Sequence, residues 1–519
     1  MKKLLSILLA LALLVTAVSC LAGCESREQP DLAAPIEGVE TTDETGAVKK
    51  PETEKESQEP LTVLVDLAGA LDILAAELDG GYESSEFTNV WNNLLTSVKA
   101  LTGVEDVELE MMPSQGAERS SRMTRLRTEM MAGQGPDVFI VAHTTEYDPR
   151  EENTVNSSIF LMPEKSMNLG LFYPLDDFID KARFMEWDKL NQTVMAAGYN
   201  EDYGQVLLPL CYEFPVTLFP KKLVQHSPSR DLTWADMLSD ETGVMQAASS
   251  FLRGSPFPLY SGTEVFGRLA DYKNKSLLFT EEELMQRYKE IMEMDGEEAG
   301  KPFAGLPICF KTTANHSLTN ILGNTYYGPY LRQPEDYPWN NEWYGGMTYK
   351  DFLMQQPFAS DPLGADHLDT TGLDTEVTMI PVYSDDGGVT VSVRAFAAIN
   401  ANSKRGEDAF AVLDYLFGEQ CMRSGKVYDY ITRMGLPVRD DLWEDERSIA
   451  GSWSIESANY EELNRIKDCI TTVTFADTIA METQNALWKQ FRIESGYEEG
   501  DPEKIVHDIY TRMKRELSE

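Results

Sequence analysis

The chain has 519 residues, with 45 basic side chains against 86 acidic ones and a formal charge of −41. A field of that sign repels nucleic acid and polyanions, which excludes both as partners, although a local basic pocket still suits a single anionic group. Apolar residues make up 42% of the chain and aromatic residues 10%, enough for a substantial packed core.

The first element in chain order is an export signal. Lys2 and Lys3 form a basic n-region, residues 4–18 a nearly unbroken apolar run, and Leu21-Ala22-Gly23-Cys24 a lipobox. The small residues let a signal peptidase reach the backbone, and the Cys24 thiol can accept a diacylglyceryl group. The apolar run is short for a membrane span and is removed on maturation, so residues 1–23 read as a lipoprotein signal peptide. Residues 24–60 are acidic, rich in Pro, Thr and Glu, and lack aromatic side chains. Such a segment buries too little apolar surface to offset its ordering entropy and reads as a flexible tether spanning roughly 35 Å. The expected location is the cell membrane, lipid-anchored, on its extracellular face.

From Leu61 onward the composition is globular, and the remaining length, about 460 residues, suits two or three domains or one two-lobed body. The segment Leu61-Thr-Val-Leu-Val-Asp-Leu67 has a buried-strand pattern. Phe87, Trp91, Leu94, Leu95, Val98 and Leu101 recur at helical spacing. Strand alternation returns at Val107-Glu-Leu-Glu-Met-Met112. Met123, Leu126, Met130 and Met131 mark a second helix ending near Gly133, and Val138-Phe-Ile-Val-Ala142 is a third apolar strand. This alternation is the signature of an α/β layer with a parallel sheet. Ligands of such sheets bind beyond the carboxyl ends of the strands, where His143, Thr144 and Thr145 follow the third strand.

Cys20 leaves with the signal and Cys24 is lipidated. Cys211, Cys309, Cys421 and Cys469 are widely spaced with no C-x-x-C pair, which argues against zinc. Disulfides and buried free thiols both remain open for them. Catalytic motifs are missing: there is no G-x-S-x-G, H-E-x-x-H, Walker loop or EF-hand loop. His143, His226, His316, His367 and His507 do not cluster, and carboxylate pairs are too common in so acidic a chain to mark a glycosidase. Neither catalytic residues, a metal nor a cofactor is expected.

Several segments together resemble bacterial extracellular solute-binding proteins, the binding components of ABC importers, and in particular their maltose-binding cluster. Gly133-Gln-Gly-Pro-Asp-Val-Phe-Ile-Val-Ala-His143 is similar to the "GPD" strand. Gly170-Leu-Phe-Tyr-Pro-Leu-Asp-Asp-Phe-Ile179 resembles "G…PLDDFI", and Gly204-Gln-Val-Leu-Leu-Pro209 through Phe219-Pro-Lys-Lys-Leu223 resembles the segment ending "YNKKL". Thr233-Trp-Ala-Asp-Met-Leu238 resembles "TWxEL". Ala398-Ile-Asn-Ala-Asn-Ser403 with the following helix resembles "INANSKNKEAAWEF", and Gly435-Leu-Pro-Val-Arg439 the "G.PV" turn. The matches keep the family's order over most of residues 63–443, whereas the C-terminal 75 or so residues match in helical character only.

The resemblance implies an α/β, two-lobed periplasmic-binding-protein-like fold, with a hinge crossed three times and ligand in the cleft between lobes. The crossings are expected near residues 211–214, 380–384 and 436–440. Lobe 1 then comprises residues 61–212 and 384–438, and lobe 2 residues 213–383 and 439–519. Aligning the "GPD" strand carries the family's sugar-binding aspartate and the following arginine onto Thr144 and Thr145, a loss of charge that disfavours a maltose-type contact; the tryptophan before them becomes Val141. The same reasoning places Glu213 on a sugar-binding glutamate, where a carboxylate can accept two hydrogen bonds from vicinal hydroxyls; the competing reading is a solvated loop acid. Asp137 is expected to set a turn.

Residues 326–349 form an aromatic stretch punctuated by Gly and Pro, with Trp339, Trp343 and Tyr344 as candidates to stack on sugar rings. The competing reading is a packed loop core. Asp385-Asp386-Gly387-Gly388 and Arg394 read as turn residues first and ligand contacts second. The function implied is a lipid-anchored receptor that captures a small solute, most readily a sugar or oligosaccharide, and delivers it as a monomer to ABC permease subunits. The alternatives are a surface-tethered carbohydrate-active enzyme and a binding protein serving a sensor.

Overall fold

The computed structural model describes residues 59–67, 85–148, 153–220, 225–249, 263–293, 310–313, 326–327, 377–424, 427, 435–439, 441, 457–494, 496 and 499–519. It opens with the expected alternation: β1 (Leu61–Asp66), a helix Ser85–Thr102, β2 (Val107–Met111), a helix Gly116–Met131 and β3 (Val138–Ala142). β1 pairs in parallel with both β2 and β3. β1 and β3 are central and almost wholly buried, which is why they read as continuous apolar runs; β2 lies at an edge and alternates.

A hairpin, β4 (Thr145–Asp148) and β5 (Asn153–Asn156), follows, and two-residue strands β6 (Tyr199–Asn200) and β7 (Gly204–Gln205) form a small ribbon. The chain continues through β8 (Leu207–Glu213), β9 (Pro215–Pro220), the hairpin β10 (Ala270–Asp271) and β11 (Ser276–Leu277), then β12 (Phe310–Thr313), β13 (Tyr326–Tyr327) and β14 (Val377–Pro381). It ends with β15 (Val389–Ile399), β16 (Leu436–Pro437), β17 (Ile470–Phe475) and two long helices, Thr478–Glu494 and Pro502–Ser518.

Two principal sheets result. One has seven strands in the order β16-β8-β15-β3-β1-β2, with β17 also on β15; the other has four, β13-β12-β9-β14. The chain passes from the first sheet to the second through Phe214 alone and returns through residues 382–388. The fold is therefore α/β and two-lobed. β15 runs antiparallel to β3 and β8, so the larger sheet is mixed. β17 joins this larger sheet although it lies within residues 439–519.

The quoted motifs tie elements together. Asp137 accepts hydrogen bonds from Thr62 N at 3.0 Å and Ser403 Oγ at 2.6 Å, while Asn400 Nδ2 donates to the Gln134 and Pro136 carbonyls at 3.1 and 3.0 Å. The "GPD" and "INANS" segments thus lock each other at the amino end of β3, and Asp137 has the structural role expected of it. Thr233 caps the helix Trp234–Ser239 through a reciprocal capping box with Asp236. At the return to β15, Gly387 and Gly388 have φ of 82° and 72°, and a Cβ on Gly388 would meet the Cys469 carbonyl at 2.7 Å. Glycine is required there both for the left-handed backbone and for the close approach.

Candidate functional site

β15 organises the carboxyl edge of the larger sheet. Its residues Ser392, Val393, Ala395 and Phe396 register with Glu213, Tyr212, Cys211 and Pro209 of β8. Arg394 is thus an extra residue on one strand and Leu210 an extra residue on the other, so two bulges cancel and restore the register. Pro209, which has no N–H to give a regular ladder, sits beside the second bulge. A bulge bends its strand and re-aims the side chain it carries. On the other edge of β15, Val393 registers with Phe475 of β17 and Ala395 with Ala142 of β3. β3 and β17 therefore end head to head, and Arg394 lies at the one-residue gap between their carboxyl ends. His143 N donates to the Arg394 carbonyl at 2.8 Å and Ala476 N to the Val393 carbonyl at 3.2 Å, closing both strand ends onto β15.

Arg394 Nε lies 3.1 Å from Glu213 Oε1, with side chains 11% and 4% exposed respectively. Glu213 is the last residue of β8, immediately before the crossing at Phe214. The solvated-loop reading of Glu213 is thereby overturned: it is a buried strand-end carboxylate opposite an arginine. Arg394 is likewise corrected from a turn residue to a strand bulge. A small pocket beside the pair is lined by Arg394, His143, Ser158, Phe160, Phe475 and Ala476 among others. His143 Nδ1 stands 3.4 Å from Ser158 Oγ. Burial, aided by the positive charge of Arg394, pulls the His143 pKa down to about 3 against a hydrogen bond with the Ala476 backbone. The imidazole is therefore neutral at physiological pH. Burial also pushes the Cys211 thiol well up, leaving it an inert apolar group in β8.

The edge thus presents an ion pair of zero net charge, a neutral imidazole and a serine hydroxyl, walled by phenylalanine rings. Such a set can exchange hydrogen bonds with an uncharged, hydroxyl-rich ligand. Among the described residues, no three His, Cys, Asp or Glu side chains are grouped to hold a metal.

The other sequence-derived candidates fall differently. Thr144 is 1% exposed; its N–H donates to Ser158 Oγ at 2.8 Å and its hydroxyl to the Ala142 carbonyl at 3.3 Å, so it buttresses the strand end. Thr145 opens β4, opposite Asn156. Trp339, Trp343, Tyr344 and the lipidation residue Cys24 lie outside the described residues. Asp385 is held by Arg287 through two bonds of 2.8 and 2.7 Å, a turn tie. Cys211, Cys421 and Cys469 are buried free thiols, which settles their state in favour of no disulfide; Cys309 lies outside the described residues.

Sequence reasoning missed Ser158, Phe475 and Ala476, as well as the buried pair Asp66–Arg119 at the carboxyl end of β1. A signal existed for β17: Ile470-Thr-Thr-Val-Thr-Phe475 is rich in β-branched residues. None existed for Asp66 and Arg119, which are separated by 53 positions.

No protein-family model and no curated protein matches the chain. Solved structures do. An extracellular solute-binding protein family 1 member from Alicyclobacillus acidocaldarius is 13% identical, with a TM-score of 0.47, over 89% of this chain and 100% of its own. A periplasmic oligogalacturonide-binding protein from Yersinia enterocolitica is 12% identical with a TM-score of 0.46, over 88% of this chain and 99% of its own. A cyclic α-maltosyl-1,6-maltose-binding protein from Arthrobacter globiformis is 12% identical with a TM-score of 0.44, over 88% and 98%. The chain is similar in structure to these solute-binding proteins, and the roles of its residues rest on its own geometry.

Proposed function

We propose that this protein is an extracellular solute receptor that binds a neutral carbohydrate at the carboxyl edge of its seven-stranded sheet and passes it to an ABC permease. The observation that carries the reading is the Arg394 bulge: two compensating register shifts place a guanidinium at the converging strand ends, facing Glu213 where the chain crosses to the second sheet. Open α/β sheets bind ligands at such a switch in strand connections, and a two-lobed body can close over that edge. Glu213 and Arg394 are the polar floor of the proposed site, Thr144 supports it, and Thr145 stands beside it. Trp339, Trp343 and Tyr344 are proposed to stack on the ring faces. Cys24 carries the lipid that keeps the receptor at the membrane, where it acts as a monomer.

Calorimetry with a panel of neutral and uronic oligosaccharides tests this. At least one neutral oligosaccharide should bind, and Glu213→Ala should weaken it by about ten- to a hundredfold, the loss of a charge-assisted hydrogen bond worth roughly 1.5–3 kcal/mol. Absence of binding across the panel, or an unchanged affinity in Glu213→Ala and Arg394→Ala, would refute the site. Normal membrane fractionation of a Cys24→Ala variant would refute the anchor.

A further inference from the structure

A second buried cluster lies one residue beyond the wall of that pocket. Asp477 follows Ala476 and is 3% exposed; Tyr272, on the hairpin β10–β11, is 8% exposed and donates its hydroxyl to Asp477 Oδ2. The other Asp477 oxygen accepts from Ala480 N at 2.9 Å and so caps the helix Thr478–Glu494. Glu164, at the start of a helix Pro163–Asn168, faces the same cluster and is ion-paired with Arg268, just before the hairpin. Asp271 adds a third carboxylate. Two carboxylates, the buried Asp477 and the largely buried Glu164, thus lie close together where the hairpin, from the chain between β9 and β12, meets an element attached to the larger sheet; Arg268 pairs with Glu164, and Asp271 is held by Asn274.

The remaining charges nearby are directed elsewhere. Lys165 Nζ donates to the Glu516 and Leu517 carbonyls at 3.1 and 3.3 Å, and Lys275 Nζ to the Ser518 carbonyl at 3.2 Å. Lys273 reaches Glu201 and Asp202 at 3.2 and 3.1 Å, and Glu482 on the capped helix meets Arg512 at 3.3 Å. With too few cations, the cluster is relieved by a proton. Burial raises the Asp477 carboxyl to about 7, opposed by the Ala480 N–H and the Tyr272 hydroxyl and reinforced by Glu164. Burial also raises Glu164, with Arg268 pulling the other way.

We propose that Asp477, Tyr272, Glu164 and Arg268 form a proton-held clasp that fastens hairpin β10–β11 to the carboxyl end of β17 and loosens when the cluster loses its proton. While the proton is bound, Asp477 is neutral and Glu164 is matched by Arg268. On deprotonation, Asp477 and Glu164 repel across a buried contact and the hairpin lets go. Because Ala476 lines the Arg394 pocket, loosening relaxes one wall of that pocket.

Hydrogen exchange on the full chain reads the clasp directly. After correction for intrinsic rates, protection of the hairpin amides at 270–277 should fall as pH rises from about 4 toward 7, by up to about tenfold per pH unit, the limit for one proton, and level off above that. The helix Gly406–Leu416 serves as internal reference. Asp477→Asn, which keeps a capping oxygen but cannot ionise, should abolish the fall. Glu164→Gln removes a repelling charge and should move the midpoint to lower pH; it provides the test if Asp477→Asn does not fold. A wild-type hairpin with pH-independent protection, an equal fall in Asp477→Asn, or an unmoved midpoint in Glu164→Gln would overturn the proposal.

Discussion

The carboxyl edge of the larger sheet holds two buried arginine–carboxylate pairs built in different ways. At the end of β1, Arg119 bonds both oxygens of Asp66 at 2.9 and 2.8 Å and also donates to the Pro113 and Ser157 carbonyls at 3.0 and 2.8 Å. At the bulge, Arg394 meets Glu213 through Nε at 3.1 Å and also lines the small pocket beside the pair. Burying a charge is costly, and the cost is offset only when good geometry and further hydrogen bonds satisfy the remaining donors. The first pair meets that condition within the protein and is a structural tie linking β1 to the segment after β5. The second borders a pocket through its guanidinium, which is where the proposed ligand would approach it. Similar residues on one sheet edge thus separate into a scaffold and a proposed site by whether the guanidinium is tied down within the protein or borders a pocket.

Truncating the scaffold pair gives the largest expected effect. Arg119→Met leaves Asp66 buried without its partner and should cost about 3–5 kcal/mol in urea unfolding. Arg394→Met should cost less, about 1–3 kcal/mol, because the guanidinium borders a pocket where water can take its place, while affinity for the proposed carbohydrate falls. Equal stability losses in the two variants would erase the distinction between tie and site.

The pH dependence sharpens the comparison from the other side. His143 next to Arg394 has its folded pKa depressed to about 3, so its contribution to stability is complete above about pH 6.5 and is lost as pH falls. The slope is about 1.4 kcal/mol per pH unit. Asp477 has its folded pKa raised to about 7, so its contribution is complete below about pH 4 and is lost as pH rises toward 7. Between about pH 4 and 6.5 the two slopes oppose each other. His143→Gln should therefore expose a stability that declines with rising pH, and Asp477→Asn one that declines with falling pH. Denaturant midpoints measured from pH 4 to 7 check both, and parallel curves for the two variants would show that neither group titrates as described.

What the sequence made legible follows the reach of its signals. Local periodicity announced β1, β2, β3 and the helices between them, because each depends on burial repeating every two or every three to four residues. Asp137 and Asn400 were legible through the quoted motifs, which kept two short segments in a fixed order. Arg394 was visible as a residue but misread as part of a turn, since a bulge exists only in the register between strands. The pairs Asp66–Arg119 and Tyr272–Asp477 depend on contacts across 53 and 205 positions, which no local pattern records. β17 was missed because its parallel pairing with β15, end to end with β3 on the same edge, joins segments far apart in the chain, which no local pattern records.

The smallest expected effect lies away from the carboxyl edge and serves as its control. Thr233 accepts from Asp236 N at 3.3 Å, and Asp236 Oδ2 accepts in return from Thr233 N at 2.8 Å. The reciprocal bonds satisfy two donors at the exposed start of a six-residue helix, Trp234–Ser239, whose Trp234 is fully buried. Thr233→Ala should cost about 1 kcal/mol, the usual value of such a cap. The helix packs by its Trp234 face, and that packing survives loss of the cap. Carbohydrate affinity should therefore be unchanged, because the cap touches neither strand end at the Arg394 bulge. Calorimetry and urea unfolding on the same preparation check the two halves of the expectation. A Thr233→Ala variant that lost both stability and affinity would mean that the carboxyl edge responds to any loosening of the fold, and the contrast between Arg119 and Arg394 would then have to be read as two degrees of one structural effect.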